Sequence, residues 1–224
     1  MPAVIFDLDG TLLDSYDAHF EAWTALAADL GVVLSESQFQ SQFGRKNEPI
    51  LIELHEWAGR ETPDDATIAM LAERKESHYR SVIGQALPVM PGAAALIHAL
   101  RDQGWSVAIG SSTPRVNLEF ARAAMESQGI VFDAAACGCD VTRSKPNPDV
   151  FLLAAERVGV AAEACVVVED APAGIEAAHR AGMASVGLAS KGRTRDALAA
   201  AMCVVDALSE LDVARLEDLV RTRA

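Results

Sequence analysis

A short apolar run near the start of the chain ends in two aspartates. Val4-Ile5-Phe6 leads into Asp7 and Asp9, and Gly10-Thr11 follows. An apolar run without alternation is typical of a strand that is buried on both faces of a parallel sheet. Open sheets of this kind bind ligands at the carboxyl ends of their strands. The run therefore predicts an α/β fold with an acidic site at its edge, and Gly10 predicts a turn beside Asp9.

The acidic pair alone leaves more than one interpretation open. Two carboxylates at a strand end are often only a turn or a helix cap. An EF-hand calcium loop is excluded, because Gly10 stands fourth rather than sixth from Asp7 and no glutamate occupies the twelfth loop position. The pair indicates a functional site only if distant segments complete it.

Two later strand-like runs also end in polar clusters. Residues 105–109 lead into Gly110–Pro114, where hydroxyl groups and free backbone N–H groups could hold an anion at a helix start. Residues 165–168 lead into Glu169 and Asp170, a second acidic pair at a second strand end. Helix capping would explain Asp170 but not the paired glutamate. These clusters are predicted to meet at one edge of the sheet.

A lysine completes the set. Lys145 lies in the loop Ser144-Lys145-Pro146-Asn147-Pro148, where two prolines stiffen the chain around a point charge. Together the clusters supply a nucleophilic carboxylate, oxygen ligands for Mg²⁺, hydroxyl or amide donors and a cation, which is what Mg²⁺-assisted phosphoryl transfer needs. Their order and spacing resemble the four motifs of the haloacid dehalogenase superfamily: Asp7-Leu8-Asp9-Gly10-Thr11, Ser111, Lys145 and Glu169-Asp170.

This resemblance covers nearly the whole chain and implies a role for each matching residue. Asp7 is implied to be the nucleophile that becomes phosphorylated, and Asp9 the general acid/base. Dehalogenase chemistry is disfavoured, because the Asp-x-Asp-Gly-Thr pattern resembles the phosphotransferase branch. The remaining implied roles are phosphoryl binding by Ser111 and Lys145, and Mg²⁺ binding by Asp7, Asp9 (through its backbone carbonyl), Glu169 and Asp170.

The second half of the chain alternates helices and strands. Helices with a proline near their start and a glycine past their end are predicted at 91–104, 148–159 and 172–182, each followed by an apolar run. This alternation is typical of a doubly wound, Rossmann-like parallel sheet. The last strands are predicted at 184–188 and 202–205, with a closing helix from about Ser209. The catalytic core is predicted to comprise residues 1–14 and 89–224.

Residues 15–88 differ, because they contain long amphipathic stretches and no convincing strand. Phe20, Trp23, Leu26 and Leu30 recur at helical spacing, and further helices are predicted at 36–43, 48–58 and 63–84. The resemblance implies that this insert is a four-helix cap domain, hinged near residues 14–15 and 88–89. Such a cap excludes water and selects the leaving group.

Two stretches of the insert resemble cap helices of the β-phosphoglucomutase branch of the superfamily. They are residues 18–23 and 74–79, and the resemblance makes His19, Trp23 and Lys75 candidates for recognising a sugar phosphate. The alternative is structural, with His19 as a satisfied interface histidine, Trp23 in the core and Lys75 on a solvated face.

Two loops depart from the mutase pattern. In that branch an arginine stands three residues after a glycine and holds a second phosphate, whereas Gly44 is followed by Arg45, Lys46 and Asn47. An amide cannot replace a guanidinium fork, so Arg45 or Lys46 would have to reach that phosphate by a changed loop path. The loop from Ser112 to Arg115, two further substrate-binding candidates, resembles loops of the family's phosphatases as much as those of the mutase.

These observations predict a Mg²⁺-dependent phosphatase that acts on a small phosphorylated metabolite, most simply a sugar phosphate. A β-phosphoglucomutase-like phosphosugar mutase is the alternative. A catalytically silent regulator that binds a phosphorylated ligand is a third possibility, disfavoured by the two intact aspartates. A nucleotide-driven ATPase is disfavoured because the sequence has no Gly-rich loop ending in Lys-Ser/Thr.

The amino-acid composition argues against some classes of binding partner. The formal net charge of −13 disfavours nucleic acid and anionic membranes, which bind clustered Lys and Arg. The sequence shows no leader or transmembrane pattern, so a cytoplasmic monomer is expected. The four cysteines lack the usual metal or redox spacing and are expected to be reduced thiols.

Overall fold

A computed structural model describes residues 1–84 and 87–223 of the chain. These form two compact units, one made of Met1–Asp14 with Val89–Ala224 and the other of Ser15–Pro88. We call them the core unit and the helical unit.

The core unit is built on one parallel sheet, which has six strands in the part of the chain that the structure describes. The order across the sheet is β3-β2-β1-β4-β5-β6. All pairs are parallel, which confirms the predicted doubly wound α/β class. The strands are β1 Ala3–Phe6, β2 Ser106–Gly110, β3 Ala134–Ala136, β4 Cys165–Glu169, β5 Ala184–Leu188 and β6 Cys203–Val205.

The two central strands are buried over their whole length, as their continuous apolar sequences predict. Ile5 of β1 lies in register with Ala108 of β2 on one side and Val167 of β4 on the other. The helices of the core unit are α5 Ala93–Asp102, α6 Arg115–Glu126, α7 Asp149–Val158, α8 Pro172–Arg180 and α9 Val213–Arg223. Of these, α5, α7, α8 and α9 pack against strands of the sheet.

The three helices predicted from their prolines and glycines, α5, α7 and α8, begin and end within two residues of the predicted bounds. The closing helix is an exception, because it begins at Val213 rather than near Ser209. Ser209 lies in a 3₁₀ turn, Leu208–Glu210, and the Asp212 carboxylate accepts the Arg215 N–H at 2.8 Å. This cap sets the later start.

The helical unit contains α1 Tyr16–Leu30, α2 Glu36–Gln42, α3 Asn47–Trp57 and α4 Asp65–Ile83. Their apolar faces form one buried cluster that includes Trp23, Phe39 and Leu54. Helix α4 begins two residues later than expected, because the Asp64 side chain accepts the Thr67 N–H at 2.8 Å and fixes the start. Across the described residues, no helix is both long and apolar enough to cross a membrane.

The prediction of four reduced cysteines is wrong for one pair. Cys137 and Cys139 form a disulfide, with Cα atoms 5.3 Å apart. A 3₁₀ turn, Gly138–Asp140, folds the chain back after Cys137 and brings the two side chains together. Cys165 and Cys203 are free thiols, and burial raises the pKa of Cys165 to about 12.

Candidate active site

The site lies where the order of the sheet reverses. From β1 the chain adds β2 and β3 on one side, and then crosses through α7 to place β4 on the other side of β1. Open α/β sheets form a ligand crevice at such a switch point. Asp7 follows β1 directly, and Glu169 and Asp170 stand at the end of β4. The fold therefore brings the two predicted acidic pairs to one crevice.

Backbone bonds fix the end of β1. The Asp7 N–H donates to the Val168 carbonyl at 2.9 Å, which ties the nucleophile candidate to β4. Gly10 has a φ of 81°, and its N–H donates to the Leu13 carbonyl at 2.8 Å. The predicted turn is confirmed, and it leaves Asp9 partly exposed while Asp7 is buried.

Three buried carboxylates converge at the switch point. Oxygen atoms of Asp7, Glu169 and Asp170 all lie within 4.8 Å of one another. Lys145 reaches them from the loop between β3 and α7, with its Nζ 2.6 Å from Asp7 Oδ1 and 2.9 Å from Glu169 Oε1. The ammonium group also lies 4.6 Å from the centre of the Phe151 ring, a cation–π contact. Lys145 is thus held between two carboxylates by contacts on several sides.

Burial and mutual repulsion raise the proton affinity of this cluster. Burial raises the pKa of Asp7 to about 7 against the opposing attraction of Lys145, and Glu169 adds to the rise. Burial and the neighbouring Glu169 also raise the pKa of Asp170 well above its usual range, although Arg193 opposes this. Burial alone would lower the pKa of Lys145, but Asp7 and Glu169 together raise it above its usual range. The cluster carries more negative charge than its own cations offset.

That excess defines what the site can hold. The donors are carboxylate oxygens in a buried crevice, which suit a hard divalent cation rather than a soft one. A bound cation would relieve the repulsion that raises the two aspartate pKa values. The residues present therefore fit a divalent metal at Asp7, Glu169 and Asp170.

Ser111 lies at the same edge of the sheet. Phe6 of β1 is in register with Ile109 of β2, so Gly110 and Ser111 stand beside Asp7. Ser111 is buried, its N–H donates to the Ala136 carbonyl at 3.0 Å, and its Oγ accepts the Thr113 N–H at 3.3 Å. The loop is held in a defined conformation next to the acidic cluster.

Ser112 and Arg115, the other candidates in this loop, have weaker links to the crevice. Ser112 is partly exposed. The Arg115 guanidinium pairs with Asp140, which also accepts from Arg157 at 3.0 Å and from the Cys137 N–H at 2.9 Å. These hydrogen bonds, that of Arg157 first, lower the pKa of Asp140 to about 2. A role for Arg115 in substrate binding stays a prediction.

Arg193 is a site residue that the sequence analysis does not single out. It lies in the loop after β5, with its Nε 3.3 Å from Asp170 Oδ2, and the Ser190 hydroxyl lies 3.5 Å from the same oxygen. One signal could have found it, because a polar cluster after β5 repeats the pattern seen after β1, β2 and β4.

The helical unit holds its own buried polar network. Lys75 Nζ lies 2.8 Å from His19 Nδ1 and 2.9 Å from Glu76 Oε1, and the Asn47 amide donates to the same Glu76 oxygen at 2.8 Å. The His19 ring stacks on Tyr79 with centroids 3.9 Å apart. Burial alone would raise the pKa of the Glu76 carboxyl. The neighbouring Lys75 ammonium group outweighs this effect, with help from His19 and Asn47, and holds the pKa below its usual range. The structure thus brings together His19, Lys75 and Asn47, which the sequence analysis selected separately.

Trp23, Gly44 and Arg45 are the remaining candidates in this unit. Trp23 is part of the buried cluster, and Lys75 Nζ lies 5.1 Å from its ring centre. Gly44 has a φ of 87° and allows the turn between α2 and α3. The Arg45 guanidinium forms a two-pronged pair with Glu53, at 2.7 and 3.2 Å.

The core unit has a parallel α/β sheet with a buried acidic cluster and a lysine at its switch point, and the chain also has a helical unit. This is the arrangement that the sequence analysis predicts for a hydrolase of phosphate esters. The family of haloacid dehalogenase-like hydrolases matches residues 1–182, and the chain belongs to this family.

Named relatives include both phosphatases and mutases. The chain is 32% identical over 188 residues to a phosphorylated carbohydrates phosphatase of Thermotoga maritima, covering 82% of each chain. It is 31% identical over 191 residues to β-phosphoglucomutase of Bacillus subtilis, covering 84% of this chain and 83% of the relative. The crystal structure of β-phosphoglucomutase from Clostridium difficile superposes with a TM-score of 0.87 and 26% identity, covering 99% of this chain and 98% of that one.

Proposed function

We propose that this protein is a Mg²⁺-dependent phosphatase that hydrolyses phosphate esters of small sugar-like metabolites through a covalent intermediate on Asp7. The observation that carries the proposal is the Asp7 carboxylate, buried at the switch point with Lys145 Nζ at 2.6 Å and two further carboxylates beside it. The family and the carbohydrate phosphatase relative support the same reaction class.

In the first step an Asp7 oxygen attacks the phosphorus atom and the ester P–O bond breaks. Asp9 gives its proton to the departing oxygen, which leaves as an alcohol. Asp9 is the partly exposed carboxylate of the pair and therefore the one suited to exchange protons with leaving group and water. The product of this step is an aspartyl phosphate.

In the second step water attacks the phosphorus atom while Asp9 takes its proton. The bond between phosphorus and Asp7 breaks, which returns the carboxylate and releases inorganic phosphate. Lys145 and the Ser111 loop would bind the phosphoryl oxygens in both steps, because a cation and fixed donors stabilise the charge that develops there.

Asp7, Glu169, Asp170 and the Asp9 carbonyl would hold the Mg²⁺. When bound, the ion supplies positive charge that neutralises the phosphoryl group and keeps the Asp7 carboxylate ionised. The excess negative charge of the cluster supports this assignment.

The helical unit, residues 15–88, is proposed to act as the cap that selects the leaving group. Its network of His19, Lys75, Glu76 and Asn47 combines a cation, an anion and an amide in one place, which are groups that recognise hydroxyls and phosphate.

The mutase remains the second candidate because a named β-phosphoglucomutase is among the relatives. Two contacts favour the phosphatase. Asn47, at the position of the mutase arginine, donates to Glu76, and Arg45 is paired with Glu53, so both are engaged within the helical unit. A second phosphate held by Arg45 or Asn47 would have to displace one of these pairs, which leaves Lys46 as the other cation of this loop.

The test is ³¹P NMR of the purified protein with Mg²⁺ and a panel of sugar phosphates. The panel includes β-glucose 1-phosphate with a trace of the 1,6-bisphosphate, and a sample with EDTA serves as the control. We expect inorganic phosphate to appear from one or more esters, and only with Mg²⁺. Conversion of the 1-phosphate to the 6-phosphate without phosphate release would mean that the protein is a mutase and not a phosphatase.

A further inference from the structure

Gly174, in the first turn of α8, lies against the acidic cluster. A Cβ atom built on it would stand 1.7 Å from Glu169 Oε1 and 2.1 Å from the Glu169 carboxyl carbon. No pair of non-bonded atoms can approach so closely. Gly174 is helical, so a left-handed backbone does not explain the glycine. The Glu169 carboxylate itself fills the space that a side chain at position 174 would need.

The Glu169 conformation that uses this space makes three hydrogen bonds. Oε1, the oxygen nearest Gly174, accepts from Lys145 Nζ at 2.9 Å. Oε2 accepts from the N–H groups of Asp170 and Ala171, at 2.6 and 3.1 Å. One side-chain conformation therefore links the N-terminus of α8 to the ammonium group that also contacts Asp7.

We propose that Gly174 is a positioning residue, whose missing side chain lets the Glu169 carboxylate lie over the first turn of α8 and hold Lys145 against Asp7. Glycine is less favourable than alanine inside a helix, so helix stability alone would favour alanine at position 174. The effect on turnover depends on the proposed phosphatase function, whereas the effect on Mg²⁺ binding does not.

The first variant is Gly174→Ala. The added methyl group expels the Glu169 carboxylate from its place, so Lys145 loses one of its two carboxylate partners. We expect the affinity for Mg²⁺ alone, measured by calorimetry, to fall roughly 10- to 100-fold, as for other residues that orient a ligand. We expect kcat for the ester identified by NMR to fall by a similar factor. Ala173→Ser adds one heavy atom to the neighbouring exposed position and should change neither quantity.

The decisive readout is the combination with Glu169→Ala, which removes the carboxylate together with Cγ, an atom that would stand only 2.3 Å from a Cβ at position 174. The alanine side chain leaves that space empty, so Gly174→Ala should cost little in that background. The double variant should match Glu169→Ala alone in Mg²⁺ affinity and in thermal stability. If Gly174→Ala itself does not fold, the double variant should still fold.

The proposal is overturned if Gly174→Ala binds Mg²⁺ like the parent, or if the two substitutions have additive effects. It is also overturned if the double variant fails to fold. If the parent binds Mg²⁺ but hydrolyses no ester, the proposed function fails while the calorimetric comparison still decides the role of Gly174.

Discussion

Replacing Asp7 by asparagine is expected to lower the hydrolysis rate by at least about 10⁴-fold, the order seen when a covalent nucleophile is removed. The amide keeps the shape of the side chain but cannot attack phosphorus. The expected KM change is small by comparison, because Lys145 and the Ser111 loop are retained. Phosphate release under saturating ester and Mg²⁺ measures the effect.

The same variant tests the electrostatics of the metal-free protein. The folded-state pKa of Asp7 is about 7, above its ordinary value of 3.8, so the folded protein binds the proton more tightly than the unfolded chain. The stability from this group is present below the ordinary pKa and is lost as pH rises through about 7. Asp170 has a shift in the same direction. In EDTA the parent should therefore melt at a higher temperature at about pH 5.5 than at about pH 8.

Asp7→Asn should flatten this dependence and melt at a higher temperature than the parent at the alkaline end, because the buried amide carries no charge. Asp102→Asn, the same change at an exposed position in α5, should keep the parent's activity and its pH dependence. A fully active Asp7→Asn protein would contradict the assignment of the nucleophile, and an unchanged pH dependence would contradict its electrostatic environment.

Replacing Lys145 by methionine is expected to reduce kcat about 10²- to 10³-fold, because the phosphoryl group loses its cation. Methionine keeps an unbranched side chain of similar length near Phe151. The metal-free variant should also lose about 3–5 kcal/mol of stability at about pH 8, since two buried carboxylates are left without their shared partner. At about pH 5.5 much of this loss of stability should be recovered. Lys145 opposes protonation of Asp7, so without it the Asp7 carboxyl takes up a proton more readily and no longer buries an unpaired charge.

Arg143→Ala is the matched control for the lysine. Arg143 is an exposed cation on the same loop and pairs with Asp149 at 2.7 Å. Exposed pairs contribute little, so kcat and the melting temperature should stay close to the parent's. Equal losses of kcat and stability in the two variants would mean that the loop as a whole, rather than the Lys145 ammonium group, is responsible for the effect.

The central part of the fold and its acidic site could be predicted from the sequence because two signals coincide there. β1 and β4 are continuous apolar runs, and each ends in acidic residues, so burial and chemistry point to the same positions. β3 carries no such signal. Its three residues are alanines, which have no preference for strands, and tertiary pairing with β2 decides their conformation.

Partners that come from distant loops could not be predicted. Arg193 pairs with Asp170, and Arg115 at the start of α6 pairs with Asp140, only because segments distant in the chain fold to the same place. The Cys137–Cys139 disulfide likewise depends on a tight turn that the spacing alone did not reveal. Within the helical unit, the resemblance selected His19 and Lys75, but not Glu76, which joins Lys75 to Asn47.

The covalent intermediate on Asp7 is the central claim, and chemical trapping tests it most directly. The Mg²⁺-loaded enzyme is mixed with a hydrolysed ester, quenched with acid during turnover and reduced with borohydride, which converts an acyl phosphate to an alcohol. Peptide mass spectrometry then locates the change. We predict homoserine at position 7 in the parent and none in Asp7→Asn. Homoserine at another aspartate, or none during demonstrated turnover, would contradict the account.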